Sequence, residues 1–205
     1  MRITGGKHKS RLLKMPGNVE IRPTQDKVRE AVFNIIAGIL PGTRILDLYA
    51  GTGAFGIEAI SRGAESATFV ENNGVCVKTI KANISVIGEA SSRVEVIKKD
   101  AIKALEDFRR DSLKFDIIFL DPPYNKGASG RASVGRYRAR RMTEIDGSMA
   151  KNSLIKIGAC DILARTGFAV VEHFTKDVLP DKAGSLIFFK RKKYGDTIVS
   201  FYRSN

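Results

Sequence analysis

From Asp26 onward, apolar residues recur at helical spacing, at Val28, Val32, Ile35, Ile36 and Ile39, until Pro41-Gly42 ends the run. Thr24 can cap this helix after Pro23, and Asp26 and Glu30 suit its first turns. The pattern then changes to short apolar runs separated by helical stretches. RILDLY (44–49) reads as a buried strand, with a helix over roughly 54–62 that stops at Gly63. ATFVE (67–71) is a second strand, and Val77, Ile80, Ile84 and Ile87 mark one face of the helix after it. RVEVI (93–97) is a third, followed by a helix near 101–109. FDIIFL (115–120) is a fourth, apolar almost throughout, as a parallel strand covered on both faces must be. A helix near 152–164 and FAVVEHF (168–174) add a fifth unit. SLIFFKRKKYGDTIVSFYR closes the chain as a hairpin around Tyr194-Gly195-Asp196.

Strand–helix alternation of this kind predicts a doubly wound α/β sheet, here of seven strands with the last hairpin antiparallel. In such a sheet ligands bind beyond the carboxyl ends of the strands, at the switch point beside the first strand. Two segments stand outside the alternation. RITGGKHKSRLLKM, around Gly5-Gly6, suggests a small basic hairpin or arm, and residues 1–40 are expected to form a basic extension to a domain at 41–205. The Gly-, Ser- and Arg-rich stretch within 125–150 fits no element and is longer than an ordinary connection.

Charge makes the second segment informative. Lys and Arg total 35 against 22 Asp and Glu, a net charge of +13 that points to a polyanionic partner. Residues 1–30 hold eight basic and three acidic residues, and residues 126–156 hold eight and two, so most of the excess lies in two places. Arg2, Lys7, Arg11, Arg22 and Arg29 in the first, with Arg136 and Arg138 in the second, are the candidate nucleic-acid contacts. His8 is expected at the surface of the arm. Cys76 and Cys160 suit neither a disulfide framework nor a zinc site, and no metal site is expected. No apolar run reaches the ~18 residues of a membrane span, and the first residues are too polar for a signal peptide, so a cytoplasmic protein is expected.

The first strand leads into LDLYAGTGAFG, which fits G-x-G-x-x-G, and Glu71 follows Gly51 by 20 positions. Both features suit a dinucleotide site. Asp47 does not, because a pyrophosphate wants amide donors rather than a carboxylate. Gly51 and Gly53 permit a tight turn and close approach of the backbone. Asp47 suits an amine, Glu71 suits the two hydroxyls of a ribose, and Asp100 suits an adenine amino group. Asn72 and Ala101, beside the latter two, complete the candidate cofactor set. S-adenosylmethionine carries an amine, a ribose and an adenine, and no phosphate.

The fourth strand ends in Asp121-Pro122-Pro123-Tyr124. Here the chain resembles the class I S-adenosylmethionine-dependent methyltransferases, whose [DNS]-P-P-[YFW] motif marks enzymes that methylate exocyclic amino nitrogens. RITGGKHKSRLL, RPTQDKVREAVFNII, LDLYAGTGAFGIEAISRGA, FDIIFLDPPY and KKYGDT together resemble the RsmD family, over most of 1–124 and again at about 154–203. The resemblance implies a Rossmann-like methyltransferase fold with S-adenosylmethionine as cofactor. It further implies methylation of a guanine 2-amino group in 16S ribosomal RNA, free or within a partly assembled small subunit, by a monomer. The insertion after DPPY departs from the family pattern.

In this reading Asp121 accepts from one amino hydrogen of the base and the Pro122 carbonyl from the other. Pro123 helps fix that backbone, and Tyr124 stacks on the base. Three other readings stay open at this point: an adenine-N6 methyltransferase using the same motif, an NAD-dependent oxidoreductase, and a basic RNA-binding module with a vestigial pocket.

Overall fold

The computed structural model describes residues 1–17, 26–123 and 148–205. Parallel strands form its centre. β1 (Arg44–Leu48) pairs with β2 (Ser66–Glu71) on one side and β4 (Phe115–Leu120) on the other. β3 (Val94–Lys98) lies beyond β2, and β5 (Leu163–Phe174) beyond β4. Next come a two-residue strand, β6 (Lys182–Ala183), and the antiparallel hairpin of β7 (Leu186–Tyr194) and β8 (Thr197–Ser204). The strand order is β3-β2-β1-β4-β5-β8-β7-β6. The doubly wound α/β expectation holds, with eight strands among the described residues where seven were expected.

Alternation along the central strands feeds two cores. Ile117, Phe119 and Val170 face α1 (Asp26–Ile36) and α2 (Ala54–Ser61), where they meet Val32, Phe33, Phe55 and Ile57. Leu46, Ile118, Leu120 and Val171 face α4 (Ala101–Arg110) and α5 (Met149–Cys160), against Leu105, Phe108, Leu154 and Ile157. α3 (Gly74–Ile84) joins the first layer through Ile80. Burying each such side chain contributes about 1.5–3 kcal/mol, which is why β4 tolerates no polar residue between Ile117 and Leu120.

Three boundaries differ from the sequence reading, each for a local reason. α5 begins at Met149 because Ser148 caps it, its Oγ accepting from Lys151 N at 3.3 Å. It ends at Asp161, which takes a left-handed conformation with φ 50°. β5 begins five residues early, at Leu163, and a register shift opposite Phe115–Ile117 hides its continuity. β6 exists because Gly158 of α5 lets it approach: a Cβ there would lie 1.8 Å from the Ala183 carbonyl oxygen.

The N-terminal segment is a hairpin, with Arg2 bridged to Leu12, and it is bound into the first core. Ile3 and Leu13 are buried there. Lys7 N donates to the Ser61 carbonyl at 2.7 Å, His8 N donates to Ser61 Oγ at 2.9 Å, and Ser61 Oγ donates to the Gly5 carbonyl at 2.7 Å. Gly6, at φ 78°, makes this possible, since a Cβ would meet the Ser61 carbonyl at 2.0 Å. His8 is therefore buried, contrary to its expected surface position. Burial, with Arg11, Lys7 and Arg93 adding repulsion, holds its imidazole below the usual histidine range. Among the described residues no helix is long and apolar enough to cross a membrane.

Candidate active site

Residues from four neighbouring strands converge at their carboxyl ends. β1 passes into a loop in which Tyr49, Gly51 and Gly53 all have positive φ, at 67°, 56° and 77°. Two glycines take this conformation freely, but for a tyrosine it costs about 1–3 kcal/mol and persists only under constraint. The constraint is visible: the Tyr49 hydroxyl meets Ser153 Oγ of α5 at 2.8 Å. Gly53 N donates to the Ala50 carbonyl at 2.7 Å and closes the turn into α2.

Glu71 ties this loop to β2. One carboxylate oxygen accepts from Gly51 N at 2.9 Å and the other from Asn73 N at 2.8 Å, and the residue is buried. Asn72 is exposed beside it. Asp100, beyond β3, caps α4: its Oδ1 accepts from Ile102 N and Lys103 N at 3.1 and 3.2 Å. Oδ2 takes part in neither bond. Ala101, next to it, is buried.

Asp47 plays a different part from the one its sequence suggests. It is 4% exposed, and its Oδ2 accepts from Gly56 N at 3.0 Å. Gly53, the N-cap of α2, has no side chain to do this. Asp47 is thus a cap supplied from the neighbouring strand, lying beneath the loop rather than open to it. Burial pushes its carboxyl up to about 8; the Gly56 bond opposes this and Glu71 adds to it. Folded Asp47 therefore holds a proton where the unfolded chain has lost it, so its stabilisation is complete in acid and is lost as pH rises towards about 8. Asp47→Asn keeps an acceptor for Gly56 and removes the titration. Relative to the parent, this variant should gain up to about 1.4 kcal/mol per pH unit, or ~2 kcal/mol from about pH 6 to 7.5. Urea unfolding at those two pH values measures it, and parallel curves would show that Asp47 is ionised throughout.

β4 places the catalytic candidates beside this loop, because it is the other neighbour of β1. Asp121 is half-buried, Pro122 is buried and Pro123 is exposed. Asp121 borders a small apolar cavity of about 10 Å³, lined also by Val32, Phe55, Phe119, Val170, Glu172 and Val199. The rings of Phe55 and Phe119 stack in its wall, with centroids 4.8 Å apart. Tyr124, Arg22, Arg136 and Arg138 lie outside the described residues.

Of the expected nucleic-acid contacts, Arg2, Lys7 and Arg11 are exposed on the hairpin. The hairpin borders the glycine loop, since Thr52 Oγ1 lies 3.8 Å from Met1 Sδ and Asn83 Nδ2 bridges the Lys14 and Thr52 carbonyls. Arg29 must be removed from that set. It is 0% exposed, and its Nε donates to Glu58 Oε2 at 2.8 Å. Its Nη2 reaches Asp26 Oδ1 at 3.1 Å and the Arg2 carbonyl. A helix-start arginine was drawn inward because α2 buries a glutamate that needs a cation.

Three residues of this region were not anticipated. Tyr49 and Ser153 could not be paired from sequence, being 104 positions apart. Glu172 carried a usable signal: it is a buried carboxylate in an apolar strand, two residues before the end of β5.

The site has recognisable relatives. The family model described as "Conserved hypothetical protein 95" matches residues 1–136. The chain is 34% identical over 203 residues to "Putative rRNA methyltransferase YlbH" of Bacillus subtilis (strain 168), covering 99% of this chain and 98% of that one. It is 34% identical over 127 residues to "Ribosomal RNA small subunit methyltransferase D" of Escherichia coli (strain K12), and there the match spans 62% of each chain. The solved structure described as "Putative methyltransferase yhhF from Escherichia coli" superposes with a TM-score of 0.76 at 24% identity, covering 100% and 98% of the two chains.

Proposed function

The chain belongs to the family described as Conserved hypothetical protein 95, and from that premise we propose that it methylates the 2-amino group of a guanine in 16S ribosomal RNA, using S-adenosylmethionine. The observation that carries this reading is the placement of Asp121-Pro122-Pro123 at the end of β4, next to the loop that Glu71 ties to β2. A relative over nearly the full chain bears an rRNA methyltransferase name, which supports the class of reaction and substrate. The narrower guanine-N2 target draws on the partial match to the small-subunit enzyme and on the DPP motif.

The donor set fits the cofactor. Carboxylates at the ends of β2 and β3 would accept from the hydroxyls and the amine that the cofactor carries. Glu71 would hold the ribose and Asp100 the adenine amino group. When bound, the cofactor supplies an electrophilic methyl group on a sulfonium.

The protein's task is to make a poor nucleophile attack in line. The guanine 2-amino lone pair is delocalised into the ring. Asp121 accepts from one of its hydrogens and the Pro122 carbonyl from the other, which turns the lone pair out of the ring plane. Held so, the nitrogen would present its lone pair to the methyl group that the cofactor would supply, and one amino proton would then leave to solvent. Orientation and fixed acceptors supply the rate, so Asp121 need not be a strong base. A target in a paired region must first be exposed or flipped out.

Nucleoside mass mapping of ribosomal RNA from a strain lacking the gene tests the proposal. One N2-methylguanine should disappear from the small-subunit RNA and return when the purified protein and S-adenosylmethionine are added. Loss of N6-methyladenine instead would establish the adenine alternative.

A further inference from the structure

The second half of β7 carries four successive cations, Lys190, Arg191, Lys192 and Lys193, and the strand has no acidic residue. Lys190 is partly exposed and the other three are exposed. Among the described residues none of the four is in an ion pair. The cations around α4 and α5 differ: Lys99, Arg110, Lys114 and Lys156 each meet an aspartate or a glutamate. Like charges gathered on one short strand repel each other and lower stability. An uncompensated run of this kind leaves a local positive field, which a polyanion would feel.

Strand register fixes where that field lies. β7 and β5 both run antiparallel to β8, so β7 ends at the same edge of the sheet as β4 and β5. Lys190 pairs with Phe201 and Lys192 with Val199. Residues directly opposite in a ladder share a face, and Phe201 and Val199 belong to the core under α1 and α2. Asp121 falls on that face as well, two residues after Phe119 of the same core. Leu120 stands opposite Val171, and Glu172 opposite Val199. Asp121, Glu172, Val199 and Lys192 therefore form one row across four neighbouring strands. Three strand spacings put Lys192 about 14 Å from Asp121 at the backbone. Arg191 and Lys193 pair with Ser200 and Ile198 and take the other face, so the strand is cationic on both sides.

We propose that Lys190, Arg191, Lys192 and Lys193 form a phosphate-binding edge, which holds the backbone of the substrate RNA beside the nucleotide at Asp121. This rests on the rRNA methyltransferase reading above and goes beyond it by assigning the RNA a second surface. The hairpin that bears Arg2, Lys7 and Arg11 borders the glycine loop, on the far side of β4 from β7. The RNA would thus be held on both sides of its target. Charged residues also protect an open sheet edge, and β6 pairs with β7 only at Leu186 and Ile187. Such protection works with either sign of charge, whereas phosphates select one.

The experiment measures RNA binding by a variant carrying Lys190→Gln, Arg191→Gln, Lys192→Gln and Lys193→Gln, with a 16S ribosomal RNA transcript as the probe. Filter binding from about 50 to 200 mM salt gives the slope of log affinity against log salt. That slope should flatten by about 0.7–0.9 for each residue that touches a phosphate, or about 2.8–3.6 for all four. A second variant, with Arg109→Gln, Arg110→Gln, Lys114→Gln and Lys156→Gln, removes the same charge from the α4 and α5 side of the sheet. Its slope should change by less than one contact, below about 0.7. Unchanged affinity for S-adenosylhomocysteine shows that each variant is folded, and Lys192→Gln alone repeats the test in a smaller step. A parental slope in the first variant would overturn the proposal, as would equal flattening in both. Self-association of the first variant with unaltered RNA binding would assign the cations to edge protection and overturn it too. A parent that methylates neither this RNA nor small subunits lacking the modification would sink the rRNA methyltransferase reading, and the phosphate-binding edge with it.

Discussion

Replacing Arg29 with methionine should destabilise the protein by about 3–5 kcal/mol, the cost of leaving one partner of a buried ion pair uncompensated. Arg29 and Glu58 are both fully buried. Glu58 Oε2 accepts from Arg29 Nε and, at 3.1 Å, from Thr4 N, while Oε1 accepts from Arg62 and from the Thr4 hydroxyl. Four segments therefore meet on one carboxylate: the hairpin, α1, α2 and the turn after it. Methionine fills much of the arginine's volume but leaves Glu58 short of one cation. Guanidinium unfolding at neutral pH measures the effect. Asp26→Asn is the control, because Asp26 is partly exposed and its pair with Arg29 should contribute less than about 1 kcal/mol. Should Arg29 instead serve RNA, the unfolding midpoint would stay put and the salt dependence of RNA binding would flatten by about 0.7–0.9 per phosphate lost.

Asp121→Ala should lower the single-turnover rate of methyl transfer by about 100-fold or more, in line with the loss of one preorganised polar group at a reacting centre. The change removes an acceptor for the amino hydrogen and leaves the prolines, which hold the strand end in shape. Affinity for S-adenosylhomocysteine and for RNA should therefore stay within a few-fold of the parent. Rapid-quench measurement at saturating cofactor isolates the step. A variant that transfers methyl groups at the parental rate would exclude Asp121 from catalysis.

Much of this arrangement is legible in the sequence, and the exceptions share a cause. The order of apolar runs identified the central strands because a parallel strand buried on both faces has no polar positions to blur it, as FDIIFL shows. The places of Glu71 at the end of β2 and Asp100 just beyond β3 follow from the same strand pattern. What stayed hidden depends on partners far apart in the chain. Arg29 looks like any arginine at a helix start, yet the stretch AFGIEAIS contains one charge and is buried along its whole length. That lone glutamate was the available sign that a cation must come to it. Asp47 looked like a ligand for an amine because its acceptor role towards Gly56 depends on Gly53 offering no cap. Glu172 could be assigned to a face only once Leu120 and Val171 were known to pair.

The docking of the hairpin onto α2 and α3 has a consequence for biosynthesis. Thr4 bonds a residue 54 positions later, His8 one 53 positions later and Lys14 one 69 positions later. During translation at ~5–20 residues per second, the basic hairpin waits roughly 3–14 seconds for Asn83 to be made after Lys14. Until then Ile3 and Leu13 have no core to enter, and the backbone polar groups of Lys7 and Lys14 have only water. The hairpin is thus secured only once α2 and α3 have been made, and it spends that interval as a short cationic segment close to the RNA-rich machine that made it.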